Sequence, residues 1–154
     1  MERTLVILKP DAMQRMLFGT IVARFEAKGL KIVGLKMMKI RRELAEQHYA
    51  AHKQKPFYPG LVRFMTAQPV AVMALEGRNV IAVVRKMLGA TFGSQAEAGT
   101  IRGDFGISNS FNLVHASDSP EAAAKELELF FAKDEIFEYD LISWPWIYDL
   151  SEEK

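Results

Sequence analysis

Two uninterrupted apolar runs constrain the fold of this chain more than any other feature. Residues 4–8 and 69–75 contain no charged side chain and consist almost entirely of Val, Ile, Leu, Met and Ala. Such strands are buried on both faces, because a strand with one wet face alternates apolar and polar residues. The sequence therefore predicts two buried strands. The first run stops at Lys9-Pro10-Asp11, which places Lys9 at a strand end and predicts a loop after it.

The remaining periodic segments divide into strands and helices. Residues 30–40 alternate apolar residues with Lys31, Lys36 and Lys39, which predicts a long strand with one face exposed. Residues 113–116 form a short strand candidate. Helical spacing of apolar residues, ended by glycine or proline, occurs in four further segments: 18–28, 42–55, 59–65 and 79–88.

The second half of the chain contains a long irregular segment and a well-marked helix start. Residues 90–112 show no sustained period and mix glycine with Thr, Ser, Asp and Asn. A loop of this length inside a compact domain is usually functional. Ser119-Pro120 then supplies an N-cap and a first-turn proline for a last helix. This order of elements predicts an α/β sandwich with helices on a small sheet, rather than a doubly wound fold.

Length and composition indicate one globular domain over residues 1–154. The chain is 49% hydrophobic and 25% charged, its net charge is +1, and it contains no cysteine. A thiolate nucleophile and cysteine-ligated metal centres are therefore excluded. A net charge near zero attracts neither nucleic acid nor an anionic membrane, so we expect neither as a partner. The first apolar run is too short for a secretory signal or a membrane span, which makes a cytoplasmic location the simplest expectation.

Familiar nucleotide and hydrolase motifs are missing. Gly29 and Gly34 have P-loop spacing, but Leu35 stands where the lysine should be. The chain also lacks the dinucleotide-binding G-x-G-x-x-G and the G-x-S-x-G of nucleophile-elbow hydrolases. Walker-type phosphate binding is therefore unsupported.

A pair of histidines has the spacing of metal ligands. His48 and His52 lie four residues apart on a predicted helix, but Tyr49 replaces the glutamate of H-E-x-x-H. No third ligand is apparent, and solvated helix histidines are common. A metal is therefore not expected at this pair.

His115 occupies a more informative position, at the end of the short strand and before a helix start. Its context alone leaves two interpretations open: a core histidine bonded to backbone, or a nucleophile or general base. Glu126 lies about two turns into the following helix, and helical side chains lean toward the N-terminus, so its carboxylate is expected to orient the imidazole. Three basic residues accompany it: Lys9, Arg85 and Arg102. Taken singly, each is either a solvated cation or a ligand for an anion.

Six sequence blocks, in order along essentially the whole chain, resemble the nucleoside diphosphate kinase family. The block around His115 is the most specific of them. The blocks are Thr-Leu-Val-Ile-Leu-Lys9-Pro-Asp-Ala, His48-Tyr49, Pro56-Phe57-Tyr-Pro-Gly-Leu61, Met-Leu-Gly-Ala-Thr91, Gly-Thr-Ile-Arg102-Gly-Asp-Phe and Asn112-Leu-Val-His115-Ala-Ser-Asp-Ser.

The resemblance implies both a fold and a reaction. The implied fold is a ferredoxin-like βαββαβ sandwich with an antiparallel four-stranded sheet, additional helices and a C-terminal extension. The implied reaction is ping-pong transfer of the γ-phosphate of a nucleoside triphosphate, typically ATP, to a nucleoside diphosphate. His115 would carry the phosphoryl group, and the activity would maintain the NTP and dNTP pools.

The resemblance also assigns roles to single residues. Nδ1 of His115 is the expected phosphorylation site, with the other ring nitrogen donating to a backbone carbonyl, Glu126 near the ring and Ser117 steadying Glu126. Phe57 is expected to stack on the base beside Leu61, a contact that any base can make. The residues expected around the phosphates and ribose are Lys9, Arg85, Thr91, Arg102 and Asn112, with Tyr49 beside the transferring group. Mg²⁺ is expected to arrive with the nucleotide and to meet Asp118 only through water.

The C-terminal extension, about residues 134–154, is rich in aromatic side chains. Phe137, Tyr139, Trp144, Trp146 and Tyr148 present more apolar surface than a chain normally leaves in water. We expect the extension to contact a neighbouring subunit, which favours a homo-hexamer over a tetramer. The alternative is that these side chains cover only their own domain.

Two other classes of function compete with the kinase. A ferredoxin-like domain can be a nucleic-acid-binding or regulatory module. Such modules show basic patches or aromatic sheet motifs, whereas the net charge of this chain is near zero. An inactive structural relative would not be expected to combine Lys9, His115 and Glu126. Both alternatives are therefore less favoured than the enzyme.

Overall fold

The computed structural model describes residues 1–152. Their strands are β1 Glu2–Leu8, β2 Lys31–Met38, β3 Val70–Gly77 and β4 Val114–Ala116. Their α-helices are α1 Pro10–Gln14, α2 Phe18–Ala27, α3 Arg42–His48, α4 Tyr58–Ala67, α5 Val80–Leu88, α6 Ile101–Phe105 and α7 Pro120–Phe130. Short 3-10 turns cover Ala50–His52, Gly93–Gln95, Lys133–Glu135, Trp144–Trp146 and Leu150–Glu152. No helix within this part of the chain is long and apolar enough to cross a membrane.

The strands form one antiparallel sheet in the order β2-β3-β1-β4. Leu5 of β1 faces Ala74 of β3, and Ile7 of β1 faces His115 of β4. The two apolar runs of the sequence therefore form β1 and β3, which lie in the middle of the sheet. This topology confirms the ferredoxin-like α+β fold with additional helices.

Both faces of the central strands are covered along the two apolar runs, which explains why residues 4–8 and 69–75 contain no charged side chain. Val6 and Leu8 of β1 belong to a hydrophobic core that α2 and α5 cover. Leu5 and Ile7 belong to a second core, on the other face, that α3 and α4 cover. Full burial of such side chains contributes about 1.5 to 3 kcal/mol each. Strand β1 is thus held from both sides, and its end is a rigid place for a functional residue.

The predicted exposed lysine face of β2 is wrong in its first half. A register irregularity between Ile32 and Gly34 in the pairing with β3 reverses the side-chain alternation along β2. Lys31 is buried, with only 3% of its surface exposed, because it pairs with Glu76 and lies against the rings of Tyr139 and Trp144, whereas Leu35 and Met37 lie in the open.

Two local boundaries also differ from the sequence prediction. Lys9 is followed by helix α1 and not by a loop, because Pro10 takes the first helical position, where its fixed φ and missing N–H are tolerated. The helix predicted over 42–55 stops at His48 and continues as the 3-10 turn Ala50–His52.

The C-terminal extension packs in part on its own domain. Ile147 lies over Gly29, where a Cβ would approach it to 2.7 Å. The ammonium group of Lys31 pairs with Glu76 at 3.0 Å and lies 4.7 Å from the centre of the Trp144 ring. Apolar side chains elsewhere in the extension remain in the open: Ile142 is 96% exposed and Trp146 is 91% exposed. The expected contact with another subunit stays a prediction.

A close backbone approach organises the segment 90–112, which is not irregular throughout. Thr100 is the N-cap of helix α6, and its hydroxyl accepts a hydrogen bond from the amide of Gly103. A Cβ at Gly103 would lie 1.8 Å from the carbonyl oxygen of Glu97. Only glycine lets the loop fold back on the helix here, and this turn sets the position of Arg102.

We expect Gly103→Ala to lower the midpoint of thermal unfolding and the matched Gly19→Ala to raise it slightly. A Cβ at Gly19, in α2, meets nothing within 4 Å. That substitution mainly restricts the unfolded chain, a gain of about 0.4 to 1 kcal/mol. The backbone shift forced at Gly103 should cost about 1 to 3 kcal/mol. Circular dichroism compares the variants, and equal midpoints would contradict the close approach.

Candidate active site

Strands β1 and β4 bring the predicted site residues together at one end of the sheet. Lys9 follows β1 directly, and its amide donates to the carbonyl of Leu113 at 2.8 Å. His115 lies on β4, paired with Ile7 of β1. Because β1 and β4 are antiparallel, the end of one lies beside the start of the other. The sheet thus joins segments that lie far apart in the sequence.

A chain of hydrogen bonds orients the imidazole of His115. Its Nε2 lies 3.1 Å from a carboxylate oxygen of Glu126. The hydroxyl of Ser117 donates to the same oxygen at 2.6 Å and accepts the amide of Leu5 at 3.2 Å. The carboxylate therefore holds the ring, and the backbone of β1 holds the carboxylate through Ser117.

The ionisation of Glu126 determines the tautomer of His115. Burial alone would raise the pKa of Glu126, but the hydrogen bonds and the charge supplied by His115, with the hydrogen bond from Ser117, lower it below its ordinary value. An ionised carboxylate only accepts hydrogen bonds, so Nε2 of a neutral His115 carries the proton. The free lone pair is then on Nδ1. The partner of Nε2 is thus Glu126, and not the backbone carbonyl that the resemblance suggested.

His48 and Tyr49, at the end of α3, form an aromatic wall beside His115. The ring of His48 lies edge-on to that of His115, with centroids 4.5 Å apart and planes at 82°. It also meets Phe130 of α7 at 5.1 Å. The ring centroid of Tyr49 is 6.3 Å from that of His115. The wall limits rotation of the imidazole and keeps water from one side of it.

Burial keeps both residues of this wall neutral. Desolvation, helped by the neighbouring His115, lowers the pKa of His48 to about 3. Desolvation raises the pKa of Tyr49, and the charge of Glu126 adds to the effect. Among the buried polar atoms of residues 1–152, the Tyr49 hydroxyl and both ring nitrogens of His48 have no hydrogen-bond partner. Because an unpaired buried polar group is costly, these atoms are available to a ligand.

Lys9 is a buried cation whose hydrogen-bond partner is a neutral side chain. Its Nζ lies 2.7 Å from the amide oxygen of Asn112, whose amide nitrogen donates to the carbonyl of Thr91 at 2.9 Å. Burial, and then the positive charge of Arg102, lowers the pKa of Lys9 to about 8, although Asp11 opposes the shift. A buried charge is stable only when it is paired. An anion bound beside Lys9 would supply that pair.

Arg102 lies beneath this group and is only 4% exposed. Its guanidinium donates to three backbone carbonyls: Asn112 at 3.1 Å, Gly89 at 3.2 Å and Val114 at 2.6 Å. Burial, with the charge of Arg85, lowers its pKa to about 10. In this conformation Arg102 holds the floor of the site, and the phosphate contact expected of it stays a prediction.

A strained residue connects the two strands of the site. Leu113 has a φ of 73°, a left-handed conformation that is unfavourable for a side chain of its size. Its amide donates to the carboxylate of Asp11 at 3.0 Å, and its carbonyl accepts the amide of Lys9. This clamp fixes Asn112 and His115 on either side of it. Asp11 was not predicted as a site residue, and its position just after Lys9-Pro10 was the one available signal in the sequence.

The remaining predicted site residues lie at the rim. Phe57 caps α4 and is 53% exposed, and its carbonyl accepts the amide of Leu61 at 3.0 Å. Residues at this spacing share one face of a helix. The ring of His52 lies 5.6 Å from that of Phe57, which continues the aromatic wall outward. Three polar residues of the predicted site are exposed: Arg85, Thr91 and Asp118.

A family model matches most of the chain. The family is described as nucleoside diphosphate kinase, and the match spans residues 2–136. The chain belongs to the nucleoside diphosphate kinase family. The nucleoside diphosphate kinase of Rhodopirellula baltica is 56% identical over 147 residues, which cover 96% of this chain and 97% of that protein. The enzyme of Archaeoglobus fulgidus is 52% identical over 149 residues, which cover 97% of this chain and 99% of that protein.

Solved structures of nucleoside diphosphate kinases share the fold. The halophilic enzyme of Halobacterium salinarum in complex with CDP has a TM-score of 0.94 and 48% identity, covering 96% of this chain and 99% of that one. A nucleoside diphosphate kinase family protein of Babesia bovis has a TM-score of 0.93 and 43% identity, and the match covers 96% of this chain and 100% of that one. Family membership makes this chain an enzyme that transfers phosphate from nucleoside triphosphates to nucleoside diphosphates. It decides against a ferredoxin-like module whose role is binding alone.

The lowered pKa of Lys9 predicts that the folded chain is less stable at neutral pH than it would be with an uncharged side chain at this position. Between about 8, the folded value, and the ordinary 10.5, the unfolded chain binds more protons at Lys9 than the folded chain. The resulting loss of stability grows as the pH falls from 10.5 to about 8 and is complete below that.

Lys9→Met should therefore unfold at a higher temperature than the wild type at neutral pH, although it loses the anion-binding charge. The difference should shrink as the pH rises from about 8 to 10.5. Scanning calorimetry at several pH values measures it, with the wild type as reference in each buffer. A difference that stays constant with pH would show that Lys9 is not held at a lowered pKa.

Proposed function

We propose that this chain transfers the γ-phosphate of ATP or another nucleoside triphosphate by a ping-pong mechanism through a phosphohistidine on His115. The lone pair of Nδ1 attacks the γ-phosphorus, the bond to the bridging oxygen breaks, and the nucleoside diphosphate leaves. The terminal oxygen of a second diphosphate then attacks the phosphohistidine, and the P–N bond breaks. The enzyme returns to its starting state, and NTP and dNTP pools are maintained.

The observation that carries this proposal is the orientation of His115. The hydrogen bond to Glu126 fixes the proton on Nε2, so the nucleophilic nitrogen is presented without a prior proton transfer. Ser117 and Glu126 keep the ring in place while its bond to phosphorus forms and breaks.

The surrounding groups suit a transferring phosphoryl group. Lys9 supplies a buried positive charge that lacks an anionic hydrogen-bonding partner, and Tyr49 supplies an unpaired buried hydroxyl. Donors placed in advance around developing charge are the main means of lowering the barrier in phosphoryl transfer. Further contacts to the phosphates and ribose are assigned to Arg85, Thr91, Arg102 and Asn112.

The nucleotide base and its metal are assigned to the rim. The exposed ring of Phe57, with Leu61 beside it, offers a stacking face that any base can use. The relative from Halobacterium salinarum binds CDP, which agrees with a nucleotide site in this fold. Mg²⁺ would enter as part of the nucleotide substrate and would neutralise phosphate charge. The exposed carboxylate of Asp118 fits a contact through water, since Mg²⁺ usually retains several waters.

We expect initial rates measured against both substrates to give parallel double-reciprocal lines, the kinetic mark of a covalent intermediate. His115→Ala should lose transfer by several orders of magnitude because the variant lacks the proposed nucleophile. The affinity of this variant for a nucleoside diphosphate, measured by calorimetry, should stay within a few-fold of that of the wild type. Intersecting lines, or substantial turnover of the variant, would contradict the proposal.

We also propose a cytoplasmic homo-oligomer, a hexamer rather than a tetramer, in which the C-terminal extension contacts another subunit. The open side chains Ile142 and Trp146 are the candidates for that contact, whereas Trp144 packs on Lys31 of its own chain. Burial of such apolar side chains is worth about 25 cal/mol per Å².

Trp146→Ser should therefore reduce the particle mass measured by light scattering without lowering the stability of the isolated subunit. Met16→Ser is the matched control, since Met16 is 88% exposed and lies outside the extension. An unchanged mass for Trp146→Ser, and for a chain ended after Asp140, would remove the role of the extension in assembly.

A further inference from the structure

Three potential metal ligands meet at the aromatic wall. A ring nitrogen of His48, a ring nitrogen of His115 and a carboxylate oxygen of Glu126 all lie within 4.8 Å of one another. The helical spacing of His48 and His52 suggested a metal pair for which no third ligand was apparent. The structure pairs His48 with His115 instead, and Glu126 completes the set.

This ligand set selects the kind of metal. Two imidazoles and one carboxylate suit Zn²⁺ and Cu²⁺, whereas Mg²⁺ requires oxygen ligands and keeps its waters. Histidine binds metal in its neutral form. The ring nitrogens of His48 are buried without a hydrogen-bond partner, so a metal would not have to displace an existing bond there.

We propose that His48, His115 and Glu126 form a binding site for Zn²⁺, and that zinc bound there blocks the nucleophile. Zinc bound to Nδ1 of His115 would occupy the free lone pair directly, and zinc bound to Nε2 would shift the ring proton to Nδ1, so in either case no lone pair remains for a phosphoryl group. Zinc is then an inhibitor of the enzyme, chemically distinct from the magnesium that accompanies the nucleotide. The inhibition rests on the proposed role of His115, whereas the binding of zinc does not.

The geometry and charge of the cluster set its expected strength. Bonds from zinc to nitrogen and oxygen are about 2.0 to 2.2 Å, so ligand atoms that are now up to 4.8 Å apart must move to roughly 3.3 to 3.5 Å from one another. Rotation of the His48 and Glu126 side chains supplies this movement. The positive charge of Lys9 acts on His48 and opposes a second cation nearby. The site is therefore expected to be weaker than a structural zinc site with four ligands.

The test is zinc binding to the nucleotide-free enzyme, measured by competition with a coloured chelator. His48→Phe removes a ligand but keeps an aromatic ring against His115 and Phe130. His52→Phe is the matched control, because His52 lies one helical turn away and outside the cluster. Loss of a residue that only hydrogen-bonds to a metal ligand typically lowers metal affinity about 10- to 100-fold. His48→Phe removes a ligand itself, so we expect it to weaken zinc binding at least about tenfold. His52→Phe should bind like the wild type.

A second variant keeps the test decisive if His48→Phe does not fold. Glu126→Gln retains the shape of the side chain and removes its charge, so zinc binding should again fall at least about tenfold. Absence of zinc binding in the wild type would overturn the proposal. Equal binding by wild type and both cluster variants, or a loss in His52→Phe alone, would overturn it as well.

Inhibition is measured separately from binding. Zinc should inhibit the wild type and His52→Phe over the concentration range in which it binds, with magnesium in excess. If zinc inhibits in that concentration range, and its binding requires His48, the result supports the proposal that zinc blocks His115. Zinc that binds at the cluster without slowing transfer would overturn the inhibitory role. Because binding is read without nucleotide, failure of the ping-pong mechanism would leave the binding result unaffected.

Discussion

The ionised carboxylate of Glu126 is the interaction on which the site depends. It accepts hydrogen bonds from Ser117 and His115, and these bonds keep its pKa low in spite of burial. The same contacts determine which nitrogen of His115 carries the proton. Ser117 is bonded in turn to the amide of Leu5, so the orientation of the nucleophile is anchored in a central strand of the sheet. A buried network of this kind is rigid only while every member is satisfied.

The rest of the domain supports an arrangement that is locally unfavourable. Lys9 is charged but buried, Leu113 is held in a left-handed conformation, and the hydroxyl of Tyr49 lacks a partner. Each of these features opposes folding by a small amount, and such features persist only where the surroundings over-determine them. The two hydrophobic cores on either face of β1 provide that support. Two of them, the charge of Lys9 and the hydroxyl of Tyr49, are groups that a bound phosphate would satisfy.

The sequence predicted the elements that depend on periodicity and missed those that depend on irregular backbone. Strands β1 and β3 and the proximity of Glu126 to His115 follow from apolar runs and helical geometry. The burial of Lys31 does not, because the side chains that cover it, Glu76, Tyr139 and Trp144, lie far from it in the sequence. His48 looked like a solvated helix histidine, since its contact with His115 joins segments that only the tertiary fold brings together. The hydrogen bonds of Arg102 to backbone carbonyls are hidden for the same reason.

The most direct test of the central claim is isolation of the phosphorylated enzyme. The protein is mixed with γ-labelled ATP and magnesium, separated from nucleotide, and then offered unlabelled GDP. We predict label on the protein that is labile to acid, stable to alkali and absent from His115→Ala, and that passes to GTP in the chase. Folded wild-type protein that transfers phosphate to GDP without ever retaining label would contradict the account, because transfer would then occur directly between two bound nucleotides.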